Sequence, residues 1–199
     1  MKLVLATQNQ DKVREIKSFL SGLKIRILTL DNFKPTSKLK ETGQTLEENA
    51  LQKAEQVYRL TKLPSLADDS GLEVEYLKGK PGVRSSRFAG EKATYLDNNL
   101  KLLRLLKNVP AQKRKARFRC VMALKLNEKK TKLLKGKVSG SIATERKGKS
   151  GFGYDPVFYI PMLKKTFAQL SLKQKNRISH RAKALEKVKK YLQSLTSRK

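Results

Sequence analysis

Apolar residues follow two patterns along this chain, a short continuous run and a recurrence every three or four positions. The two patterns alternate from the start of the chain. The short apolar run Lys2–Thr7 (KLVLAT) is typical of a β-strand. In the following segment, DKVREIKSFLSG, an apolar residue recurs every three or four positions at Val13, Ile16 and Leu20, which predicts a helix with one buried face. Strands that alternate with helices in this way place the chain in the α/β class, and we expect a mixed β-sheet.

The rest of the chain continues this order. A second strand is expected in KIRILTL, and Thr45 and Glu48 have the spacing of a capping box, which predicts that a second helix begins there. This helix carries an apolar stripe at Leu46, Ala50, Ala54 and Val57. Further strands are predicted in SLADDS and LEVEYL (two short strands or one bent strand), in KARFRCVMALKLNE with an antiparallel partner in TKLLKGKVSGSIAT, and in PVFYIP. Two more helices are predicted, over Leu96–Leu106 with LLRLL as a buried turn, and over Lys173–Leu195.

The charge balance of the chain is extreme. The sequence has 46 Lys and Arg residues but only 17 Asp and Glu residues, which is a formal net charge of +29. Such a field attracts phosphates of any kind. The basic residues are spread along the whole chain, without an RNP motif, zinc-finger spacing or heptad zipper. We therefore expect contact with nucleic acid only through non-specific charge.

Length and apolar content indicate the cellular context. The 199 residues fit one domain, or one domain with two lobes. No apolar run approaches the roughly 18 residues that cross a bilayer, and MKLVLAT is too short for a secretory signal. Cys120 is the single cysteine, so it cannot form an internal disulfide, which fits a reducing compartment. We expect a cytoplasmic protein without membrane contact.

Two adjacent aspartates, Asp68 and Asp69, follow an apolar run in this basic chain. Each carboxylate raises the cost of ionising the other, so we expect something cationic beside them. Mg²⁺ is commonly held by one or two carboxylates together with substrate phosphates, and Glu41 is a third candidate ligand. Asp-Asp-Ser-Gly is also a favourable turn sequence, so a metal site and a turn both stay open here.

Three further segments have the residue types of a nucleotide site. ATQNQDK joins a strand to a helix, so its backbone N–H groups and Lys12 favour an anion, although Thr and Asn are also ordinary helix caps. GKSGFGYDP is rich in glycine, and Phe152 or Tyr154 could stack on a base, although a hairpin turn explains the same residues. The segment SHR contains the single histidine, His180, near the start of a helix.

Taken in order, these segments resemble one family. ATQNQDK, ETG before ENALQKA, ADDSGLEVEYLKGKPGV, SRFAG, GFGYDPVF and ISHRAKAL together resemble the inosine/xanthosine triphosphate pyrophosphatase (Ham1-like) family, from Lys2 to about Leu185. The resemblance implies a single ITPase-like domain over residues 1–199, in which a long mixed sheet and two lobes of helices surround a nucleotide-binding cleft. It also implies Mg²⁺-dependent hydrolysis of ITP, dITP and XTP to the monophosphate and pyrophosphate, which cleanses the nucleotide pool, and it implies a homodimer.

The resemblance also implies roles for individual residues. Glu41 and Asp69 would bind Mg²⁺, with Asp68 as a further candidate, and Asp69 would accept the proton of the attacking water. The triphosphate would be held by the loop Thr7, Gln8, Asn9, Gln10, Asp11 and Lys12, and by Lys53. Ser70 would touch the substrate, and the purine would be bracketed by Phe152, Gly153, Tyr154 and Asp155. Three basic residues would close over the base: Lys175, His180 and Arg181.

Selectivity for the base follows from hydrogen-bond chemistry. Hypoxanthine and xanthine carry an O6 acceptor where adenine carries an amino donor, so donors that face O6 reject adenine. Gln169 stands where family members carry an acidic residue, which changes the local charge expected near the base. Two alternatives stay open: a basic nucleic-acid-binding protein on a retired enzyme scaffold, and a pyrophosphatase for a different modified nucleotide.

Overall fold

The computed structural model describes residues 1–33 and 39–196, which contain a seven-stranded β-sheet. The strand order is β2-β1-β3-β4-β5-β6-β7. Strand β1 pairs in parallel with β2 and β3, whereas β6 pairs antiparallel with β5 and β7. The prediction of an α/β chain with a mixed sheet is confirmed. The strands are β1 Lys2–Leu5, β2 Arg26–Leu28, β3 Ser65–Val74, β4 Lys115–Lys125, β5 Thr131–Ile142, β6 Phe158–Ile160 and β7 Lys165–Thr166.

Five α-helices lie in the described ranges. They are α1 Gln10–Leu20, α2 Leu46–Thr61, α3 Tyr95–Leu105, α4 Leu172–Ile178 and α5 His180–Thr196. Helix α1 begins after Asn9, whose side-chain oxygen accepts from the backbone N–H groups of Asp11 and Lys12. Its predicted apolar face is buried. Among the helices of the described ranges, none combines the length and the apolar character that a bilayer crossing needs.

Helix α2 begins where the capping pattern predicts, but only half of the capping box forms. The hydroxyl of Thr45 accepts from the backbone N–H of Glu48 at 3.1 Å. The carboxylate of Glu48 accepts instead from the backbone N–H of Gln44, at 2.6 Å, one residue earlier than a capping box requires. All four residues of the predicted apolar stripe are buried, which confirms the orientation of the helix.

Strand β3 decides the local geometry of the two aspartates. The sequence left open two short strands or one bent strand, and a turn at Asp68 and Asp69; the structure has one strand of ten residues that runs through both. The turn is therefore wrong, and the strand does not end at the aspartates. Because successive side chains of a strand point to opposite faces of the sheet, Asp68 and Asp69 face opposite ways.

Two predicted helices differ in detail from the structure. The helix predicted over Lys173–Leu195 is two helices, because Ser179 has an extended backbone (φ −67°, ψ 158°) and α5 begins at His180. Leu102 of α3 and Leu106, which follows its last residue, are fully buried, but Leu105 is 45% exposed. The predicted buried turn LLRLL is thus buried only at the positions that share one helical face.

The chain divides into two compact units. The first unit contains residues 1–69, 120–136 and 181–199, and the second contains residues 70–119 and 137–180. The first unit has its own apolar core, which includes Leu3, Ile16, Met122 and Val188. The second unit has a separate core around Phe118, Phe158 and Phe167. A single ITPase-like domain with two lobes stays a prediction.

Candidate active site

In the first unit, the side chains on the two faces of β3 contact different parts of the protein. On one face, Ser65 donates from its hydroxyl to the backbone oxygen of Ala54 in α2, at 2.7 Å, and Asp69 shares this face. On the other face, Leu66 packs in the core with Val13 of α1, and Asp68 shares that face. The two carboxylates therefore meet different partners.

Asp68 is fully buried in a network of ion pairs. The ammonium of Lys12 lies 2.5 Å from its Oδ1, and Nε of Arg181 donates to its Oδ2 at 2.8 Å. The thiol of Cys120 donates to the same Oδ2 at 3.3 Å. Burial alone would raise the pKa of Asp68, but Arg181 and Lys12 outweigh it and hold this pKa well below its usual range. The expectation of cations beside the aspartates is confirmed.

Arg181 joins Asp68 to a residue that sequence reasoning missed. Arg181 is 2% exposed, and its Nη1 donates to Oε2 of Glu15 at 2.6 Å. Burial by itself lowers the pKa of Arg181, but Asp68 and Glu15 raise it well above its ordinary value. These contacts bind Arg181 to two buried carboxylates, and its role in closing over the base stays a prediction. Glu15 gives no signal in the sequence, because one glutamate beside an apolar stripe is common on solvated helices.

The ammonium of Lys53 binds the two carboxylates that are predicted to hold Mg²⁺. Its ammonium lies 2.6 Å from Oε1 of Glu41 and 2.8 Å from Oδ1 of Asp69, and it donates to the backbone oxygen of Asp68 at 2.8 Å. The lysine is 4% exposed. Burial lowers the pKa of Lys53, but Asp69 and Glu41 outweigh it, so that this pKa lies above the usual lysine value. Burial raises the pKa of Asp69, and the charge of Lys53 only partly opposes this effect.

The arrangement of Glu41 and Asp69 fits a divalent cation. Both carboxylates reach one ammonium, so their bound oxygens are no farther apart than the sum of the two distances to Lys53. In the part of the chain that the structure describes, no three His, Cys, Asp or Glu side chains group closely enough to hold a metal. A pair of carboxylates nevertheless matches Mg²⁺, which takes its other ligands from water and substrate phosphates.

The ion pairs described above involve both carboxylates and cations. The ion-paired side chains around β3 that are named above are four carboxylates and three cations: Glu15, Glu41, Asp68, Asp69, Lys12, Lys53 and Arg181. Asp68 and Glu15 are matched by Arg181 and Lys12, whereas Glu41 and Asp69 share Lys53.

The predicted phosphate loop is arranged as a helix cap. Oδ1 of Asn9 accepts from the N–H groups of Asp11 and Lys12 at 3.0 and 3.1 Å, and Oγ1 of Thr7 accepts from the N–H of Asn9 at 3.2 Å. Gln8 and Gln10 are exposed. In this structure two of the N–H groups expected to face an anion thus bind Asn9. Lys12 is the residue of the loop that the structure brings to the carboxylates.

In the second unit, Asp155 organises the glycine-rich turn. Its carboxylate is 2% exposed, forms a buried ion pair with Lys175, and accepts from the backbone N–H of Phe152 at 2.9 Å. Gly151 has φ +74°, and a Cβ atom there would lie 2.1 Å from Oδ2 of Asp155. Only glycine allows this close approach. The turn that the sequence leaves open as an alternative is present, and Asp155 binds its backbone at Phe152.

The two aromatic residues of this turn have different environments. Tyr154 is buried, and its hydroxyl donates to the backbone oxygen of Ser85 at 2.9 Å; burial raises its pKa. Tyr154 is therefore part of the core and does not offer a stacking surface. Phe152 is half-buried, its ring centroid is 5.9 Å from that of Tyr95, and the ammonium of Lys175 lies 4.9 Å from its centroid. Phe152 is the aromatic residue of the turn that suits a base.

The remaining predicted residues of the second unit are placed as follows. His180 is buried, and its ring stacks on Phe118, with centroids 4.5 Å apart and planes 11° apart. Ser70 is half-buried in β3, and the backbone oxygen of Gly153 accepts from Nδ2 of Asn99 at 2.8 Å. Sequence reasoning missed Phe118 and Asn99, because both act through contacts with residues distant along the chain.

Gln169 has a structural role that explains why an uncharged residue suits this position. Its Oε1 accepts from the backbone N–H of Thr166 at 2.9 Å and completes a capping box over Phe167–Gln169. Glu and Gln both serve at this position of a capping box. Gln169 in place of an acidic residue therefore changes the charge expected near the base but preserves the helix cap.

Comparisons with known proteins agree on one family. The model of the Ham1 family matches residues 3–191. A dITP/XTP pyrophosphatase of Thermoanaerobacter pseudethanolicus is 50% identical over 192 residues, which cover 96% of each chain. Among solved structures, a HAM1 protein from Coxiella burnetii has a TM-score of 0.89 at 42% identity, over 98% of this chain and 99% of its own. The Ham1 protein of Staphylococcus aureus has a TM-score of 0.86 at 41% identity, with the same coverage.

Proposed function

The chain belongs to the Ham1 family, and on this premise we propose that it is a nucleoside triphosphate pyrophosphatase for non-standard purines. It hydrolyses ITP, dITP and XTP to the monophosphate and pyrophosphate. The relatives that are named dITP/XTP pyrophosphatase support this activity at up to 50% identity over nearly the full chain. The resemblance inferred from the sequence motifs and the family match lead to the same conclusion.

One observation carries the proposal at the level of residues. Glu41 and Asp69 meet at the ammonium of Lys53, while Lys12 reaches the backbone oxygen of Asp68 in the same network. A triphosphate needs cations for its charge, and hydrolysis needs a base for the attacking water. The first unit brings both kinds of group together.

The chain's own residues would divide the work as follows. Glu41 and Asp69 hold Mg²⁺, and Lys12 and Lys53 contact phosphate oxygens. When bound, Mg²⁺ supplies positive charge to the triphosphate oxygens. Asp69 accepts the proton of the attacking water, and its raised pKa makes it a better base than an ordinary aspartate. Asp68 holds Lys12 and Arg181 in place from the opposite face of β3.

We assign the purine to the glycine-rich turn of the second unit. Phe152 offers a half-buried ring for stacking, and Lys175 is a donor held beside that ring by Asp155. A donor that faces O6 favours hypoxanthine and xanthine over adenine, whose amino group would leave it unpaired. His180, the first residue of α5, would also help to recognise the base.

The resemblance extends the proposal to the biological setting. Mg²⁺ is the proposed ion, a homodimer is the proposed assembly, and the cytoplasm is the proposed location. Contact with nucleic acid is proposed to arise only from the charge of +29, without a dedicated site.

A direct assay tests the activity. The purified protein is incubated with Mg²⁺ and a panel of ITP, dITP, XTP, GTP, ATP and a modified pyrimidine triphosphate, and pyrophosphate and monophosphate are quantified. We expect release from the first three that falls by about 10³-fold in Asp69→Asn, because a general base contributes on the order of 10²–10⁴-fold. Equal rates for wild type and Asp69→Asn, or a preference for ATP, would contradict the proposal.

A further inference from the structure

Residues 40–44, directly before α2, run beside this helix and are bound by its side chains. The backbone N–H groups of Lys40, Thr42, Gly43 and Gln44 all donate to side-chain oxygens of α2. Their acceptors are Gln56 Oε1 at 2.9 Å, Gln52 Oε1 at 3.0 Å, Asn49 Oδ1 at 2.8 Å and Glu48 Oε2 at 2.6 Å, in that order. We call this set of contacts the amide ladder.

The amide ladder rests on a match between two chain geometries. Two residues of extended chain advance about 6.6 Å, and four residues of an α-helix rise about 6 Å. Gln52 and Gln56 are four residues apart, so each can reach an alternate residue of the segment. Gln56 makes a second contact, because its Nε2 donates to the backbone oxygen of Lys40 at 2.9 Å.

Gly43 shows how closely the segment lies on the helix. A Cβ atom at this position would be 2.6 Å from Cβ of Glu48 and 2.9 Å from Oδ1 of Asn49. Such distances leave no room for a side chain, so glycine is needed for the approach rather than for its backbone angles. The segment is thus fitted against α2 along its length.

Glu41 lies between the two residues that the glutamines hold. Its carboxylate reaches Lys53, which is itself on α2, one residue after Gln52. We propose that Gln52 and Gln56 are positioning residues, which hold Glu41 at the distance where it shares a cation with Asp69. The proposal rests on the proposed function for the identity of that cation, but the amide ladder itself does not depend on it.

The two glutamines differ in a way that sharpens the test. Within the described residues, the side chain of Gln52 makes its contacts through its oxygen, which accepts from the N–H and the hydroxyl of Thr42. A carboxylate can replace such an acceptor, so Gln52→Glu keeps the contact. Gln56 uses its NH₂ group as well, to Lys40 and to the backbone oxygen of Gln52. Gln56→Glu removes both donors and places a carboxylate against carbonyl oxygens.

The experiment compares Gln52→Ala, Gln56→Ala, their double variant, Gln52→Glu and Gln56→Glu, with Gln193→Ala at an exposed position of α5 as the matched control. Alanine is a good helix former, so the substitutions preserve α2. Amide hydrogen exchange of residues 40–44 is measured without metal or nucleotide. The Mg²⁺ concentration for half-maximal pyrophosphate release from ITP, and kcat at saturating Mg²⁺, are measured separately.

In the double variant we expect faster exchange at Lys40 and Thr42, and an Mg²⁺ requirement raised about tenfold, as for other residues that orient a metal ligand. The kcat at saturating Mg²⁺ should change much less. Gln52→Glu and Gln193→Ala should behave like wild type, whereas Gln56→Glu should resemble Gln56→Ala. Unchanged exchange, or a lower kcat with an unchanged Mg²⁺ requirement, would overturn the proposal. If wild type does not hydrolyse ITP, the proposed function fails, and hydrogen exchange still decides whether the amide ladder exists.

Discussion

At the scale of single residues, Asp68 and Asp69 are adjacent in sequence but have different surroundings. Asp68 is fully buried and bound by Lys12 and Arg181, which keep its pKa low. Asp69 shares Lys53 with Glu41, and burial raises its pKa. The carboxylate of Asp68 is suited to stabilising the fold, and the carboxylate of Asp69 is suited to accepting a proton.

The role of Asp68 can be tested by stability. Asp68→Asn leaves Arg181 and Lys12 without their buried carboxylate, and removing one partner of a buried pair costs about 3–5 kcal/mol. We expect a loss of this size in the free energy of unfolding, measured by denaturant titration. Glu145→Gln, at an exposed pair with Lys147, should change it by less than about 0.5 kcal/mol. Similar values for the two variants would mean that Asp68 is not a structural anchor.

Lys12 and Lys53 can be separated from the general charge of the protein. Lys12→Ala and Lys53→Ala should each lower turnover of ITP on the order of 10²-fold, because each removes a cation that we propose to contact the phosphate oxygens. Lys17→Ala removes the same charge from an exposed position of α1 and should leave turnover unchanged. Steady-state kinetics at one ionic strength makes the comparison. Equal effects at all three positions would indicate that the lysines act only through the overall field.

At the scale of elements, the glycine-rich turn separates a stacking residue from a core residue. Phe152→Leu removes the half-buried ring, and base–aromatic stacking is worth about 1–3 kcal/mol. We therefore expect KM for ITP to rise by about tenfold or more, with a smaller effect on kcat. Tyr154→Phe removes only the hydroxyl that donates to Ser85 and should lower stability by about 1 kcal/mol. The KM of Tyr154→Phe for ITP should stay unchanged. A raised KM in Tyr154→Phe together with an unchanged KM in Phe152→Leu would mean that Tyr154, and not Phe152, stacks on the base.

Some elements follow directly from local sequence. Helix α2 begins directly after Thr45, as its capping pattern predicts, and the apolar stripes of α1 and α2 are buried as predicted, because a cap and a buried stripe involve residues within a few positions of one another. Strand β3 and the break at Ser179 were not resolved in advance. Both depend on packing partners elsewhere in the chain, which local propensity does not encode.

At the scale of the whole molecule, the charge of +29 should act on the rate of encounter. Salt shortens the Debye length from about 14 Å at 0.05 M to about 4 Å at 0.5 M, so steering of an anionic substrate weakens. We expect kcat/KM for ITP to fall about tenfold over this range while kcat stays nearly constant. The same titration in Lys12→Ala controls for direct phosphate contact. A kcat that falls in parallel with kcat/KM would exclude steering as the cause.

The sequence by itself determined the α/β class, the apolar faces of α1 and α2 with the cap of α2, and the identity of the acidic and basic residues that carry the family resemblance. Those features depend on spacing within a few residues, and spacing is visible in a linear chain. Only the tertiary structure decided which charges meet. Arg181 reaches Asp68 across 113 positions, and Glu15 meets Arg181 across 166. Burial raises the pKa of both neighbouring aspartates, but Arg181 and Lys12 outweigh it at Asp68 whereas Lys53 only partly opposes it at Asp69, so the partners that the fold chooses set opposite net directions.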